Sequence, residues 1–329
     1  MSVLSQSSPL QKLELLSKPS VVDGVATRVR YVEISGQTLT LSRKGPIYLL
    51  ELEDQWYEDQ KDPDAVIRAL RKGPGFRPDI FTFWQRFPES EPKYPFYMET
   101  ESIAVLRIDS YDHWFNKQIK SAARNKLRKS QKAGVEVREA TFDDDFVSGM
   151  VKIFNETPIR QGRKFWHYGK DFETVKKQFS RFLIREDLIG AYYQNELIGF
   201  VMLGDATNYG VLGQIISLVS HRDKAPNNAL IAKSVEICER KQLPFLAYAL
   251  WADSTLADFK RSCGFEEVKL PRYFVPITQK GKLALRLGLN RGWRAAVPEK
   301  IKNPLKQVRR YLLDWQTQFA AGSPLRHRS

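Results

Sequence analysis

The chain has 329 residues, 42% hydrophobic and 12% aromatic, which is enough to build a real core and excludes a disordered or purely solvating protein. Cys238 and Cys263 are the only cysteines; two cannot form a disulfide framework and no Cys/His cluster has zinc spacing, so no metal and a reducing cytoplasm are expected. The net charge is +14, and residues 280–329 supply most of it, with twelve Lys/Arg against Glu299 and Asp314. A basic tail attracts something anionic: nucleic acid, a lipid surface or a phosphorylated substrate. The remaining body is close to neutral, which argues against a dedicated nucleic-acid binder. No apolar run approaches the ~20 residues that span a bilayer, so no transmembrane segment is expected. The first twenty residues lack a basic stretch, a long apolar core and a small-residue cleavage site, so no signal peptide is expected either.

Leu10, Leu13 and Leu16 follow a short helical spacing that ends at Lys18-Pro19. Alternation then takes over from Val21 to Leu52, with Ser35-Gly36 as a hairpin turn. A short helix is predicted after Asp62-Pro63, and FTFWQRF reads as a strand. IAVLRID, starting at Ile103, is a buried-type strand. Ser110 or Asp112 caps a helix running to about Ala133, and Gly134 ends it in the left-handed conformation. VEVREA is a strand, and Thr141 caps a helix whose N-terminus carries Asp143, Asp144 and Asp145. After the loop IRQGRKFWHYGKD, a helix is predicted from Phe172 to about Arg185. LIGAYYQ and LIGFVMLGD form a hairpin at Asn195-Glu196, YGVLGQIISLVS is a third strand, and ALIAKSVEICERKQ a helix. PFLAYALWA, STLADFKRSCGF and RYFVPI complete a strand–helix–strand ending, with Gly264 after the short helix. The pattern is an α/β fold with a mixed central sheet flanked by helices.

This order resembles the GNAT acyltransferases, and three segments resemble more narrowly the Fem-type aminoacyltransferases that build peptidoglycan cross-bridges. They are RNKLRKSQKAGVEVRE at 124–139, ELIGFVMLG at 196–204 and STLADFKRSCGF at 254–265. The resemblance covers roughly residues 103–278. It implies three parts: a β-rich module at 1–102, a GNAT/Fem-like domain at 103–278 and a basic amphipathic tail at 279–329. Fem-type enzymes usually carry two such folds, and the first hundred residues are short for a complete second copy. It also implies acyl or aminoacyl transfer to an amine of an anionic acceptor, such as one of the cell envelope, with acyl-CoA or aminoacyl-tRNA as donor. The acyl-CoA loop of the larger family, Arg/Gln-x-x-Gly-x-Gly/Ala, maps onto Arg222, Ala225 and Asn227, with Asn228 following. Where backbone N–H groups must approach a pyrophosphate, Ala225 and Asn227 crowd the site and Pro226 contributes no N–H.

The same resemblance places Lys260, preceded by Phe259, where many GNAT enzymes carry a tyrosine acid. A lysine there can stabilise the oxyanion of an acyl-transfer intermediate; the alternative is a solvated surface lysine. Arg160, Arg163, Trp166, His167 and Tyr168 crowd one Gly-interrupted loop, a usual place for substrate contact, with His167 a candidate general base. Gln214 and Tyr248 are candidates at the strand ends, and Asp253 and Ser254 read first as helix caps. On the helix that runs to about Ala133, Ala122, Ala123, Leu127 and Ser130 form the inward stripe. Arg124, Arg128 and Lys129 are then either a solvated face or a phosphate grip for donor tRNA or an anionic acceptor. Asn303-Pro304 opens an amphipathic pattern (Leu305, Val308, Leu312, Trp315, Phe319) that either docks on the body or lies on an anionic membrane. Two readings compete with the enzyme: an inactive GNAT-like protein that grips nucleic acid with its basic helix and tail, and a membrane-surface scaffold. The sequence offers no convincing nucleophile, since neither cysteine has an evident histidine partner.

Overall fold

The computed structural model describes residues 13–22, 25–160, 162–180, 183, 185–251 and 255–291. The amphipathic pattern at 303–319 and the cap candidates Asp253 and Ser254 lie outside the described residues. The first half runs β1 (Leu16–Val22), β2 (Val25–Ile34), β3 (Gln37–Lys44), β4 (Ile47–Leu52), α1 (Pro63–Lys72), β5 (Ile80–Trp84) and β6 (Met98–Arg107). The helical spacing read through Leu16 is corrected here, since Leu16 pairs with Tyr31 in a strand. Pro19 pushes the residue before it to extended backbone, and the Val21-Val22 pair favours the sheet. Ser35 and Gly36 both take positive φ, as a two-residue hairpin turn requires. Asp62 accepts from the Ala65 N–H and Pro63 occupies the first turn, so α1 starts where the sequence signals it.

The second half opens with α2, a single turn at Tyr111–His113 capped by Ser110, which runs into a π-helical turn at Trp114–Gln118. The expected continuous helix to Ala133 is broken at Ile119, whose extended backbone places its side chain in the core. Helix α3 (Ser121–Lys132) restarts after it. Then come β7 (Glu136–Ala140), α4 (Asp144–Asn155), the short β8 (Ile159–Arg160) and β9 (Arg163–Lys164), and α5 (Phe172–Ser180). The α4 cap is Asp143, not Thr141, its carboxylate accepting from the Phe146 N–H. The order continues through β10 (Glu186–Tyr193), β11 (Glu196–Asp205), β12 (Gly210–Ser217), α6 (Pro226–Arg240), β13 (Phe245–Leu250), α7 (Thr255–Ser262), β14 (Glu266–Pro276) and α8 (Gln279–Arg286).

Twelve strands form one sheet in the order β1-β2-β3-β4-β5-β14-β6-β13-β12-β11-β10-β7. The order is a palindrome of two repeats. In each repeat three antiparallel neighbours lead to a strand that pairs in parallel, across a helix, with the next: β4 with β5 and β12 with β13. The last strand of each repeat crosses to the other side, so β6 lies beside β13 and β14 beside β5. The second repeat inserts α4 and α5 between its first two strands, whereas in the first only two residues separate β1 from β2. The expected boundary at 102/103 falls inside β6.

The main core gathers around α6, which buries a broad apolar face on β10, β11 and β12 and turns Lys233, Glu236 and Arg240 outward. Leu230, Ile231, Val235 and Ile237 are fully buried, each contributing about 2 kcal/mol through lost apolar exposure. The segment between β4 and α1 fastens the repeats together. The Tyr57 hydroxyl donates to the Glu186 carboxylate, Arg185 pairs with Glu58 at 2.6 Å, and a Cβ at Gly204 would lie 2.4 Å from the Tyr57 ring. Tyr57→Phe removes that donor from a half-buried carboxylate and is expected to lower unfolding free energy by about 1–2 kcal/mol. Urea denaturation with an unchanged m-value checks it; an unchanged midpoint would show that the fastening is idle.

Candidate active site

The site grows from a fault in the sheet. Strands β12 and β13 pair in parallel at only two positions, Gly210↔Leu246 and Val211↔Ala247, and then separate. Both strands are irregular where they part. Against β11, β12 carries an extra residue at Gly213-Gln214, and β13 loses register with β6 between Ala247 and Leu250. Bulges of this kind re-aim side chains beside sites. They also leave backbone carbonyls without a ladder partner, and those must be satisfied some other way.

Lys260, from α7, satisfies them on the β13 arm. Its Nζ donates to the Tyr248 carbonyl at 2.8 Å and the Leu250 carbonyl at 2.9 Å, and lies 4.4 Å from the Tyr248 ring centre. The solvated-lysine alternative is thereby corrected: the residue is 1% exposed. Among the described residues it has no carboxylate partner, and burial pushes its pKa down to about 8. An ammonium has three N–H groups, and these two carbonyls use two of them. Phe259, Tyr248 and Trp251 are half-buried around it.

Arg160 plays the matching part on the β12 arm. Its guanidinium donates to the Ser217 carbonyl at 2.8 Å, to the Ile153 carbonyl at 2.8 Å, and to the Glu156 carboxylate at 3.2 Å. Glu156 also accepts from the Val219 and Ser220 N–H groups and the Ser220 hydroxyl. Although partial burial opposes it, these bonds hold the Glu156 carboxyl below the usual carboxylate range. The end of α4, the end of β12 and the turn after it are therefore one hydrogen-bonded unit. Arg163 lies opposite Arg160 in the β8–β9 hairpin.

His167 is fully buried, stacked on Phe154 at 4.2 Å between ring centres. Its Nδ1 lies 3.2 Å from the Lys170 Nζ, which also donates to Gln178 at 2.7 Å. Gln214, on the β12 bulge, sits beside the ring, while Nε2 makes no well-aligned hydrogen bond. Burial first and the Lys170 charge second push the histidine down to about 3. At neutral pH the candidate base His167 is therefore an uncharged core imidazole. Its neighbours Trp166 and Tyr168 are exposed, as is Leu250 on the other arm.

At the end of the β12 arm the chain makes a 3-10 turn (Val219–Lys224) and enters α6 through Ala225. Ala225 holds φ 52° and ψ 45°, the left-handed conformation in which glycine is at ease. Asn228 is buried and its Nδ2 donates to the Cys263 Sγ at 3.8 Å, tying the start of α6 to α7. The Asn227 Oδ1 is buried with no partner, and Arg222 is exposed. Helix α3 packs against the 3-10 turn, placing Lys129 within electrostatic reach of Asp223.

The other basic residues of α3 do different work. Arg124 donates to the carbonyls of Phe115, Asn116 and Ile119, sealing the helix break that precedes it. Arg128 is exposed with its guanidinium 5.7 Å from the Phe115 ring centre. Ala123, Leu127 and Ser130 face inward as expected, but Ala122 is exposed and is removed from that stripe. Sequence reasoning missed Glu156 and Lys170. The four-residue spacing of Glu156 and Arg160 was the available signal for the first, and Lys170 had none. Both cysteines are buried and pushed up to about 12 by burial, so neither presents a thiolate at neutral pH.

No family model and no curated protein matches the sequence. Solved structures do match in fold. L-PGS from Bacillus licheniformis superposes over 79% of this chain and 88% of its own, with TM-score 0.52 and 13% identity. The C-terminal domain of a lysylphosphatidylglycerol synthetase from Agrobacterium fabrum matches over 78% and 87%, with TM-score 0.50 and 12% identity. A FemX structure matches over 84% and 90%, with TM-score 0.48 and 12% identity. At this identity the likeness to L-PGS and to the synthetase domain is one of fold: a mixed sheet flanked by helices.

Ala225→Gly tests the turn before α6. Relief of the left-handed alanine offsets added chain entropy, so unfolding free energy stays within about 1 kcal/mol of wild type. If the turn receives a pyrophosphate, acyl-CoA binds more tightly once the Cβ is gone. Calorimetric titration with acetyl-CoA measures it, and unchanged or absent binding in both proteins removes the turn from donor recognition.

Proposed function

We propose that the chain is an N-acyltransferase that moves an acyl or aminoacyl group from acyl-CoA or aminoacyl-tRNA to an amine on an anionic, envelope-type acceptor. What carries this reading is the fork itself: two parallel strands that part beside a helix start, with a buried ammonium on the β13 arm that has no carboxylate partner among the described residues. The donor carbonyl enters where the strands separate, and its phosphates lie toward Arg222, Asn227, Asn228 and Lys129. The acceptor amine arrives past Trp166, Tyr168 and Leu250, with Arg163 on the same hairpin.

The amine nitrogen forms a bond to the donor carbonyl carbon, and the carbonyl electrons move to oxygen. Lys260 offers its remaining N–H and its charge to that oxyanion in a site from which water is largely excluded. Collapse of the intermediate breaks the C–S bond of a thioester or the C–O bond of a tRNA ester. The proton lost by the amine leaves with the thiol or hydroxyl. His167 takes no proton on this reading. It is a positioning residue that holds Lys170 and the aromatic loop against Gln214, while Tyr248 supports the Lys260 ammonium through its carbonyl and ring. Neither cysteine forms an acyl intermediate, so rate comes from positioning and charge.

Purified protein incubated with labelled acetyl-CoA, or with charged tRNA, and a panel of amine acceptors is expected to give transfer with one donor. No transfer from either donor, with no saturable binding of either, would sink the reading. Lys260→Met is expected to lower kcat by about 10²–10³-fold, the scale of one lost oxyanion donor. Lys260→Arg, which keeps the charge and can still reach the β13 carbonyls, retains more activity than Lys260→Met. Equal loss in both would make Lys260 merely structural.

The pH dependence has a defined sign. Because burial lowers the Lys260 pKa from 10.5 to about 8, the ammonium is present at neutral pH and is lost as pH rises through about 8. kcat therefore falls above that pH in wild type, and Lys260→Arg keeps its plateau. Stability moves the other way. The unfolded chain binds this proton more tightly, so the contribution of Lys260 to stability grows between about 8 and 10.5 and is smallest below 8. A kcat profile flat from pH 7 to about 10 would remove the charge from the mechanism.

A further inference from the structure

Helix α8 leaves an outward surface that the transferase reading does not use. Its inner face is fixed. Thr278 caps it through the Gly281 N–H, Ala284 is buried, and a Cβ at Gly281 would lie 1.9 Å from the Asp79 carbonyl oxygen. That close approach locks the rotation of the helix, so its other face cannot turn inward. The outward face carries two pairs four residues apart. Lys282 and Arg286 form one, and Leu283 and Leu287, each 57% exposed, form the other. Beside it runs a groove of about 590 Å³ floored by Phe96, Tyr97 and Phe274 and rimmed by Arg71, Lys282 and Arg286, with no acid in its lining. Tyr97 and Met98 add further exposed apolar surface. Of the nearby acids, Glu99 accepts from Tyr97 and Asn290, while Asp79 accepts from the Thr278 hydroxyl and pairs with Lys280 at 3.3 Å. Among the described residues neither Lys282 nor Arg286 has an ion-pair partner.

We infer that this face seats the protein on an anionic phospholipid surface, with the leucines entering the acyl boundary and the cations, at the mouth of the groove, on headgroup phosphates. The charge selects the class of partner. The patch is uniformly basic, and residues 292–329, which follow it directly, hold eight Lys/Arg against Glu299 and Asp314. An occupant must therefore be anionic. The leucines then decide between anions: a nucleic-acid backbone has no use for two solvent-facing aliphatic side chains among the cations, whereas an interfacial helix needs them. The inference stands independently of which donor or acceptor the fork takes.

The test uses the full chain and vesicles of phosphatidylcholine alone or mixed with phosphatidylglycerol. Wild type is expected to co-sediment with the mixed vesicles only, and less so at high salt. Leu283→Glu/Leu287→Glu and Lys282→Glu/Arg286→Glu are each expected to reduce partitioning about tenfold or more, since each basic residue at an anionic surface is worth roughly fivefold. Unchanged circular dichroism and melting temperature show that the variants fold. Because Cys238 and Cys263 are buried, Leu283→Cys can carry an environment-sensitive dye, whose emission should shift blue on the mixed vesicles. Unchanged partitioning of both double variants, or no dye response while the protein binds, overturns the proposal. So does loss of tRNA binding in Lys282→Glu/Arg286→Glu with vesicle partitioning intact, which would mark nucleic acid as the occupant. A leucine-dependent dimer that ignores vesicles would mark a second copy.

Discussion

A parallel strand pair that stops pairing after two rungs is expensive unless its backbone groups find other partners, and the site depends on how that is solved. A buried carbonyl left without a donor costs about 1–3 kcal/mol. Here each arm recruits a cation. Arg160 takes the Ser217 carbonyl at the end of β12, and Lys260 takes the Tyr248 and Leu250 carbonyls at the end of β13. Water could satisfy the same groups, but it would also fill the gap. Two cations anchored from outside the sheet satisfy these carbonyls directly, one on each arm. The carbonyls that need Lys260 also fix where its ammonium sits.

The two cations differ in how their charge is treated. Arg160 is neutralised by Glu156, whose carboxylate is itself spent on the turn leading to α6. Any movement of α4 therefore reaches both the β12 arm and the turn before α6. Lys260 has no such counter-charge among the described residues, and burial shows in its lowered pKa. A buried charge without a partner is costly, and such residues cluster at functional sites because a ligand can supply the missing negative charge. An arginine at 260 could not deprotonate to relieve that cost, whereas a lysine can.

Local signals in the sequence were reliable where local physics decides. Asp62-Pro63, Ser35-Gly36, Gly134 and the broad apolar face of α6 form what their chemistry dictates, because capping, positive φ and helical periodicity are read from neighbours along the chain. The failures have tertiary causes. Leu13 and Leu16 share a helical spacing, yet Leu13 bridges to Gly75 and Leu16 joins β1, where a sheet partner outweighs propensity. Arg124 looks like a surface cation and is a cap, because Ile119 breaks a helix that periodicity alone continues. His167 looks reactive in a loop of cations and aromatics, and its burial depends on Phe154, thirteen residues earlier on α4. The glycine-poor turn at Ala225 was legible in composition, but that it keeps a left-handed, glycine-like backbone was not.

The crossed final strands explain why the chain has one equipped fork and not two. With β14 beside β5 and β6 beside β13, neither repeat completes its sheet without the other. Both repeats contain a parallel pair bridged by a helix, and the first pairs over three positions, Leu49↔Ile80 to Glu51↔Thr82. The second alone contains α4 and α5, and from the segment around them come Glu156, Arg160, Trp166, His167 and Lys170. Without that insertion the end of β4 has no helix to supply a cation to its carbonyls. The chain beyond Leu52 instead runs across to the second repeat, where Tyr57 and Glu58 fasten onto Glu186 and Arg185. One repeat thus carries the buried cations beside the parted strands, and the other spends the equivalent stretch of chain holding the sheet together.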